Sequence, residues 1–156
     1  MRQSLASYEN KIKITLLGSN VAKKGYRFMY EHTNNNICLQ CYLKKVCIDN
    51  IEKNRIYEVV NVRDKKHICK LLNSYVSVVE VKISPIEVFA NIKMAVEDLV
   101  TTYIPVNCDK FNCKNFVYCK PIGLFENDKI KIKKIMERTY CPKGYNLIKL
   151  LVIPLI

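Results

Sequence analysis

Apolar and polar residues alternate along two stretches of the chain, 54–62 and 127–135. Alternation puts every second side chain on one face, so each stretch predicts a half-buried strand. Tyr57, Val59 and Val62 of the first correspond to Ile130, Ile132 and Ile135 of the second, 73 residues later. Each stretch is followed by another strand-like run, 75–83 and 145–153, and preceded by a shorter one, about 26–30 and 99–106. A strand over 11–17 opens the fold, and the polar residues 1–10 read as a flexible N-terminus. Between the two sets, residues 86–98 predict a short helix, because Phe89, Ile92, Ala95 and Val96 stand at roughly helical spacing. The apolar run 147–156 is broken by Lys149 and falls well short of the ~20 residues of a membrane span. It predicts a buried strand. The pattern describes a mainly β chain, a β-rich α+β fold.

The cysteines repeat along with the strands. Cys38, Cys41, Cys47 and Cys69 are spaced C-x2-C-x5-C-x21-C, and Cys108, Cys113, Cys119 and Cys141 are spaced C-x4-C-x5-C-x21-C. Three of the four recur at an offset of 72 residues. Self-similarity at a fixed period marks a duplicated architecture. The expected organisation is a tandem duplication, with a first repeat over 11–85 and a second over 86–156. No Gly/Ser/Pro-rich linker parts the repeats, which predicts one compact pseudo-two-fold unit with a four-cysteine metal site in each half. A half of about 70 residues has a thin core, and a metal is one way to staple it.

Residues 1–10 lack the apolar stretch of a secretory signal, so a cytoplasmic location is expected. In a reducing cytoplasm, spaced cysteines serve metals or redox chemistry more often than structural disulfides; disulfides are the alternative. Zinc ribbons pair two short knuckles around a tetrahedral ion. Here three cysteines cluster and one is remote, an arrangement common for [4Fe–4S] clusters. Two [4Fe–4S] clusters are therefore favoured over two zinc ions. The loop from Cys38 to Cys47 resembles the three-cysteine loops of radical enzymes' auxiliary-cluster domains, and Cys141-Pro142 resembles the Cys-Pro that ends ferredoxin motifs. Spacing alone leaves open whether Cys69 and Cys141 complete their own quartet or the other one.

The net charge of +12, from 26 Lys+Arg against 14 Asp+Glu, favours contact with RNA, a ribonucleoprotein or another acidic surface. Lys129, Lys131 and Lys133 fall on one face of a predicted strand with Ile130 and Ile132 on the other, and Lys134 extends the basic stretch. Lys44, Lys45, Lys65 and Lys66 add charge near the first cysteine set. These eight are the candidate phosphate contacts; a solvated or aggregation-resistant strand edge is the competing reading. Phe111, Phe116 and Tyr118 lie in the second cysteine loop and are expected to pack around its metal. His32 and His67 have no ligand spacing. The turn at Gly18-Ser19-Asn20, ahead of Lys23-Lys24-Gly25, reads as an ordinary turn rather than a P-loop. No nucleophile elbow, HExxH, Rossmann or deaminase pattern occurs, and no small-molecule substrate is implied.

The chain resembles uncharacterised protein family 0179, found in archaea and especially methanogens. The resemblance rests on residues 14–19, on Ala22, Lys23 and Gly25, on Cys38 to Cys47, on Val62-Arg63-Asp64 and on the second cysteine set. It implies no activity. Its anaerobic setting adds weight to iron–sulfur centres. The expected function is a cytoplasmic metal-binding protein that contacts RNA or a ribonucleoprotein. The alternative is an iron–sulfur electron carrier.

Overall fold

The computed structural model describes residues 11–31 and 34–156. The expected flexible segment 1–10 and His32 lie outside the described residues. The chain divides into two compact units that part between Ser84 and Pro85. Strands dominate both, and the helices are single turns.

The first unit carries β1 (Lys13–Gly18), β2 (Arg27–Met29), α1 (Asn36–Leu39), α2 (Lys44–Cys47), β3 (Ile56–Cys69) and β4 (Ser74–Ile83). Its strands form one antiparallel sheet in the order β1-β4-β3-β2. The second unit carries β5 (Ile86–Asn91), a 3-10 turn (Ile92–Met94), β6 (Val100–Thr102), α3 (Phe116–Cys119), β7 (Lys129–Thr139) and β8 (Leu147–Pro154). Its sheet has the order β5-β8-β7-β6. The two orders are the same once the strands are counted from each unit's start. The irregularities match as well. β3 shifts register between Val59 and Asn61 and again between Val62 and Lys66. β7 shifts between Ile132 and Lys134 and between Ile135 and Arg138.

Each long strand is launched by the same device. Asn54 (φ 59°) and Asn127 (φ 70°) sit in the left-handed region, which asparagine tolerates better than most residues. Their N–H groups donate to the carbonyls of Tyr30 and Tyr103, while those tyrosines' own N–H groups donate to Arg55 and Asp128. The alternation read from the sequence then places Tyr57 and Val59, and Ile130 and Ile132, inside at 1% exposure or less. In the second unit this face packs with Val88, Tyr103, Leu150 and Val152 into the main core.

Residues 86–98 differ from expectation. They form β5, paired with β8 over six registered positions, and then one 3-10 turn. Ile86, Val88 and Ala90 enter the main core, while Phe89 packs with Leu147 and Cys119 in a separate cluster. Covering both faces of a strand removes the alternation, and the remaining apolar spacing imitates a helix. The shorter predicted strands contract to β2 and β6, three residues each, and the C-terminal run is β8. No helix among the described residues is long and apolar enough to cross a membrane.

Candidate metal centres

The cysteines reach their places through three kinds of backbone. Cys38 lies in α1, whose preceding Asn35 side chain accepts from Ile37 N–H at 2.9 Å, an ordinary N-cap. Cys41 and Cys113 occupy turns, their N–H groups bonded three residues back to the carbonyls of Cys38 and Lys110. Cys47 and Cys119 each end a one-turn helix, α2 and α3. Cys69 is the last residue of β3, and Cys141 follows β7 by two residues. Asn115 ties the second loop to that strand end, its amide donating to Thr139 Oγ1 at 3.2 Å and to the Tyr140 carbonyl at 3.3 Å.

This backbone gathers each sequence quartet around its own cavity. Cys38, Cys41, Cys47 and Cys69 line one of ≈ 40 Å³ together with Leu16, Leu43 and Val76. Cys108, Cys113, Cys119 and Cys141 line a tighter one of ≈ 10 Å³ with Val106, Phe116 and Leu147. Cys69 thus stands with the first set and Cys141 with the second. All eight cysteines are free thiols. Among the described residues, no three His, Cys, Asp or Glu side chains converge closely enough to hold a single metal ion.

Apolar walls set the chemistry of these thiols. Burial, followed by the neighbouring Cys38, Cys69 and Cys41, pushes Cys47 up to about 11. Burial, followed by Cys108, Cys141 and Cys113, does the same to Cys119, also to about 11. Cys38 is raised for the same reasons. Four thiolates crowded in a dry cavity repel one another and lack solvation. A soft cation relieves both penalties at once, because it neutralises the charge and takes the proton's place on sulfur.

The aromatic residues of the second loop divide. Phe116 lines the cavity. Phe111 is 77% exposed and packs edge-on against Phe116, and Tyr118 packs against Phe89 and under Lys149 Nζ at 4.2 Å. Phe116 thus lines the cavity and Tyr118 packs in the cluster that contains Cys119 and Cys141, while Phe111 stands outside it. His67 meets the Tyr42 ring edge-on.

The basic candidates scatter. Lys45, Lys65, Lys66, Lys129, Lys133 and Lys134 are exposed. Lys44 pairs with Asp49 at 3.4 Å. Lys131 is mostly buried and pairs with Asp98 at 3.2 Å. Burial alternates along 129–133, with Ile130 and Ile132 inside and Lys129, Lys131 and Lys133 on the other face, and the register shift between Ile132 and Lys134 ends this face. Sequence reasoning missed Asn115, whose amide ties the second loop to the strand end, and Thr15 and Tyr103, whose hydroxyls donate to the Cys47 and Cys119 carbonyls; no cysteine spacing reveals them.

Residues 13–152 match the model of an uncharacterised protein family, UPF0179. A UPF0179 protein of Methanocaldococcus jannaschii is 37% identical over 141 residues, 90% of this chain and 93% of the relative. One from Methanococcus vannielii is 37% identical over 145 residues, covering 92% and 95%, and one from Methanosarcina mazei is 35% identical over 144 residues, covering 90% and 95%. No solved structure matches.

Proposed function

The chain belongs to the uncharacterised protein family UPF0179, and from the geometry of its cysteine sites we propose that it is a metal-binding protein with one four-cysteine centre in each unit. The observation that carries this reading is the lining of the two cavities, each by all four cysteines of one sequence quartet. Shared strand order, shared register shifts and the matching Asn54 and Asn127 support an origin by tandem duplication.

The three-plus-one spacing of each quartet favours [4Fe–4S] clusters over zinc. A zinc ion binds four sulfurs at about 2.3 Å and draws them to one point. A cluster takes its thiolates on separate iron corners, commonly three from one loop and one from a remote residue, which is the spacing of each quartet here. In each unit the centre would act as a staple, linking the cysteine loop to the end of the long strand.

The partner half of the reading is RNA or a ribonucleoprotein, met in the cytoplasm. Its support is the +12 charge, exposed lysines such as Lys45, Lys65 and Lys66, and the exposed rings of Tyr42 and Phe111 on the cysteine loops. Lysine and aromatic side chains together suit a single strand, one type meeting phosphates and the other stacking on bases. An electron-transfer role is the second reading. Cys41 favours it, because it lines both the first cavity and an open groove of ≈ 340 Å³ with Tyr42, Ile68 and Lys70.

Anaerobic purification with a visible spectrum and iron, zinc and acid-labile sulfide analysis tests the metal reading. A brown protein with about four iron and four sulfide per centre is expected. A colourless one with about one zinc per centre replaces the cluster with zinc. Protein free of metal, and unable to take it up on reconstitution, overturns the reading.

A further inference from the structure

The open groove beside the first cysteine cavity is built from one cysteine and the chain neighbours of three. It holds ≈ 340 Å³ and is lined by Ile37, Gln40, Cys41, Tyr42, Ile68 and Lys70. Ile37 precedes Cys38, Gln40 and Tyr42 flank Cys41, and Ile68 and Lys70 flank Cys69. One wall is therefore the cysteine loop and the other is the end of β3, the same two segments that line the cavity. Its volume lies within the range of about 300–1,000 Å³ that small-ligand sites occupy.

The lining has a definite chemistry. Tyr42 is 77% exposed, and Ile37 and Ile68 are exposed beside it; adjacent apolar side chains left in water mark an interaction site. His67 meets the Tyr42 ring edge-on and restrains it. A Gln side chain both donates and accepts hydrogen bonds, and a Lys ammonium only donates. Among the described residues, neither the Gln40 nor the Lys70 side chain has a hydrogen-bond or ion-pair partner. None of the six lining residues is acidic, and Lys65 and Lys66 stand exposed farther up the same strand. The matching occupant is anionic and planar, with donors and acceptors along its edge. A nucleotide has all three properties, since its base stacks on an aromatic ring, its edge bonds to a polar side chain and its phosphate meets a cation.

We propose that this groove takes one unpaired base of a single-stranded RNA, stacked on Tyr42 with Ile37 and Ile68 beside it, Gln40 at its polar edge and Lys70 on an adjoining phosphate. The inference rests on the RNA reading above and gives that reading a site. It also ties the site to the first centre. A metal joining Cys38 and Cys41 to Cys69 holds the two walls at a fixed spacing, so metal and RNA each favour the other's binding, by linkage to the same degree. The second unit lacks the arrangement. At the 72-residue offset that carries Cys41 to Cys113 and Cys69 to Cys141, the places of Tyr42 and Lys70 are taken by Lys114 and Pro142.

The test follows a fluorescently labelled single-stranded RNA of mixed sequence binding to the full chain, purified anaerobically with its metal, beside a control protein of matched charge. Tyr42→Ala should weaken binding by about 5–150-fold, the loss expected for one base stack. Tyr42→Phe keeps the ring and should bind as wild type. Lys70→Gln should lower the slope of log K against log salt by about 0.7. Tyr140→Ala, which alters an exposed tyrosine of the second unit, should bind as wild type. Stripping the metal with a chelator should weaken binding to wild type more than to Tyr42→Ala. Wild type that binds no tighter than the control overturns the RNA reading together with this inference, and leaves the groove to a protein partner. Binding above the control that is unchanged in Tyr42→Ala, or equally reduced in Tyr140→Ala, overturns the groove assignment and leaves the RNA reading standing. Binding to wild type that is indifferent to metal, or a chain that takes up none, overturns the link between groove and centre.

Discussion

Asn115 reaches 24 residues along the chain to donate to Thr139 Oγ1, and so joins the loop holding Cys113 and Cys119 to the strand that leads to Cys141. In the proposed second centre three cysteines come from one loop and the fourth from elsewhere, so a metal held by all four would need the distance between the segments fixed. The same amide donates to the Tyr140 carbonyl, which adds a second fixed point. Asn115→Ala should cost about 1–2 kcal/mol of stability and speed metal loss from the second centre only. Chemical denaturation with metal analysis of each centre checks this; equal loss from both centres would sink it.

Cysteine substitutions divide along the same line. Cys47 and Cys119 close the helical turns of their loops, and each belongs to one cavity. Cys47→Ser and Cys119→Ser should each halve the bound metal, and the double variant should bind none. Metal content of the purified variants reads the result directly. Full content in either single variant would mean that the quartets do not act as ligand sets.

Much of the architecture was legible because each long strand has one face in the core. Tyr57 and Val59, like Ile130 and Ile132, alternate with polar partners, and the period of two survives in the sequence. It fails where both faces are covered, as at Val88 and Phe89, and β5 therefore reads as a helix. The pairing of the repeats was the missed remedy, since residues 86–91 stand 73 positions after 13–18, where a strand is plain. At the sites, cysteine spacing reports ligands but not their supports. Thr15, Tyr103 and Asn115 act through hydroxyls, carbonyls and amides brought together by the fold, and single hydrogen bonds of this kind leave no periodic trace. The lysines at 129, 131 and 133 do alternate with buried Ile130 and Ile132, but the pairing of Lys131 with Asp98 depends on a loop 33 residues earlier and leaves no local pattern.

Tyr57 gives the first unit a definite response to alkali. Its side chain is 1% exposed, and its oxygen accepts from Glu52 N–H at 2.9 Å. Burial raises its pKa above the usual 10, against a smaller opposing effect of that bond. A tyrosine whose folded pKa lies above its unfolded one contributes stability that is complete below about pH 10 and is lost as pH rises through the folded value. Tyr57→Phe should therefore flatten the fall in stability above pH 10. At neutral pH it should cost about 1 kcal/mol, because Glu52 N–H loses its acceptor. Denaturation across pH 7–11 separates the two effects. A parallel alkaline fall in wild type and variant would refute the assignment.

The basic surface makes its own prediction. Lys45, Lys65 and Lys66 are exposed, whereas Lys131 is largely buried and paired with Asp98. Charge that is already paired releases few counterions when RNA arrives, so the exposed lysines should carry the salt dependence. Neutralising all three with Gln should weaken binding of a single-stranded RNA and reduce the slope of log K against log salt by about 2. Lys131→Gln should change the slope little, although it removes a charge as well. Titrations at several salt concentrations, beside a control protein of matched net charge, distinguish a built surface from bulk attraction. Binding no tighter than the control, or a slope that falls equally for Lys131, would show that charge alone draws RNA to this chain.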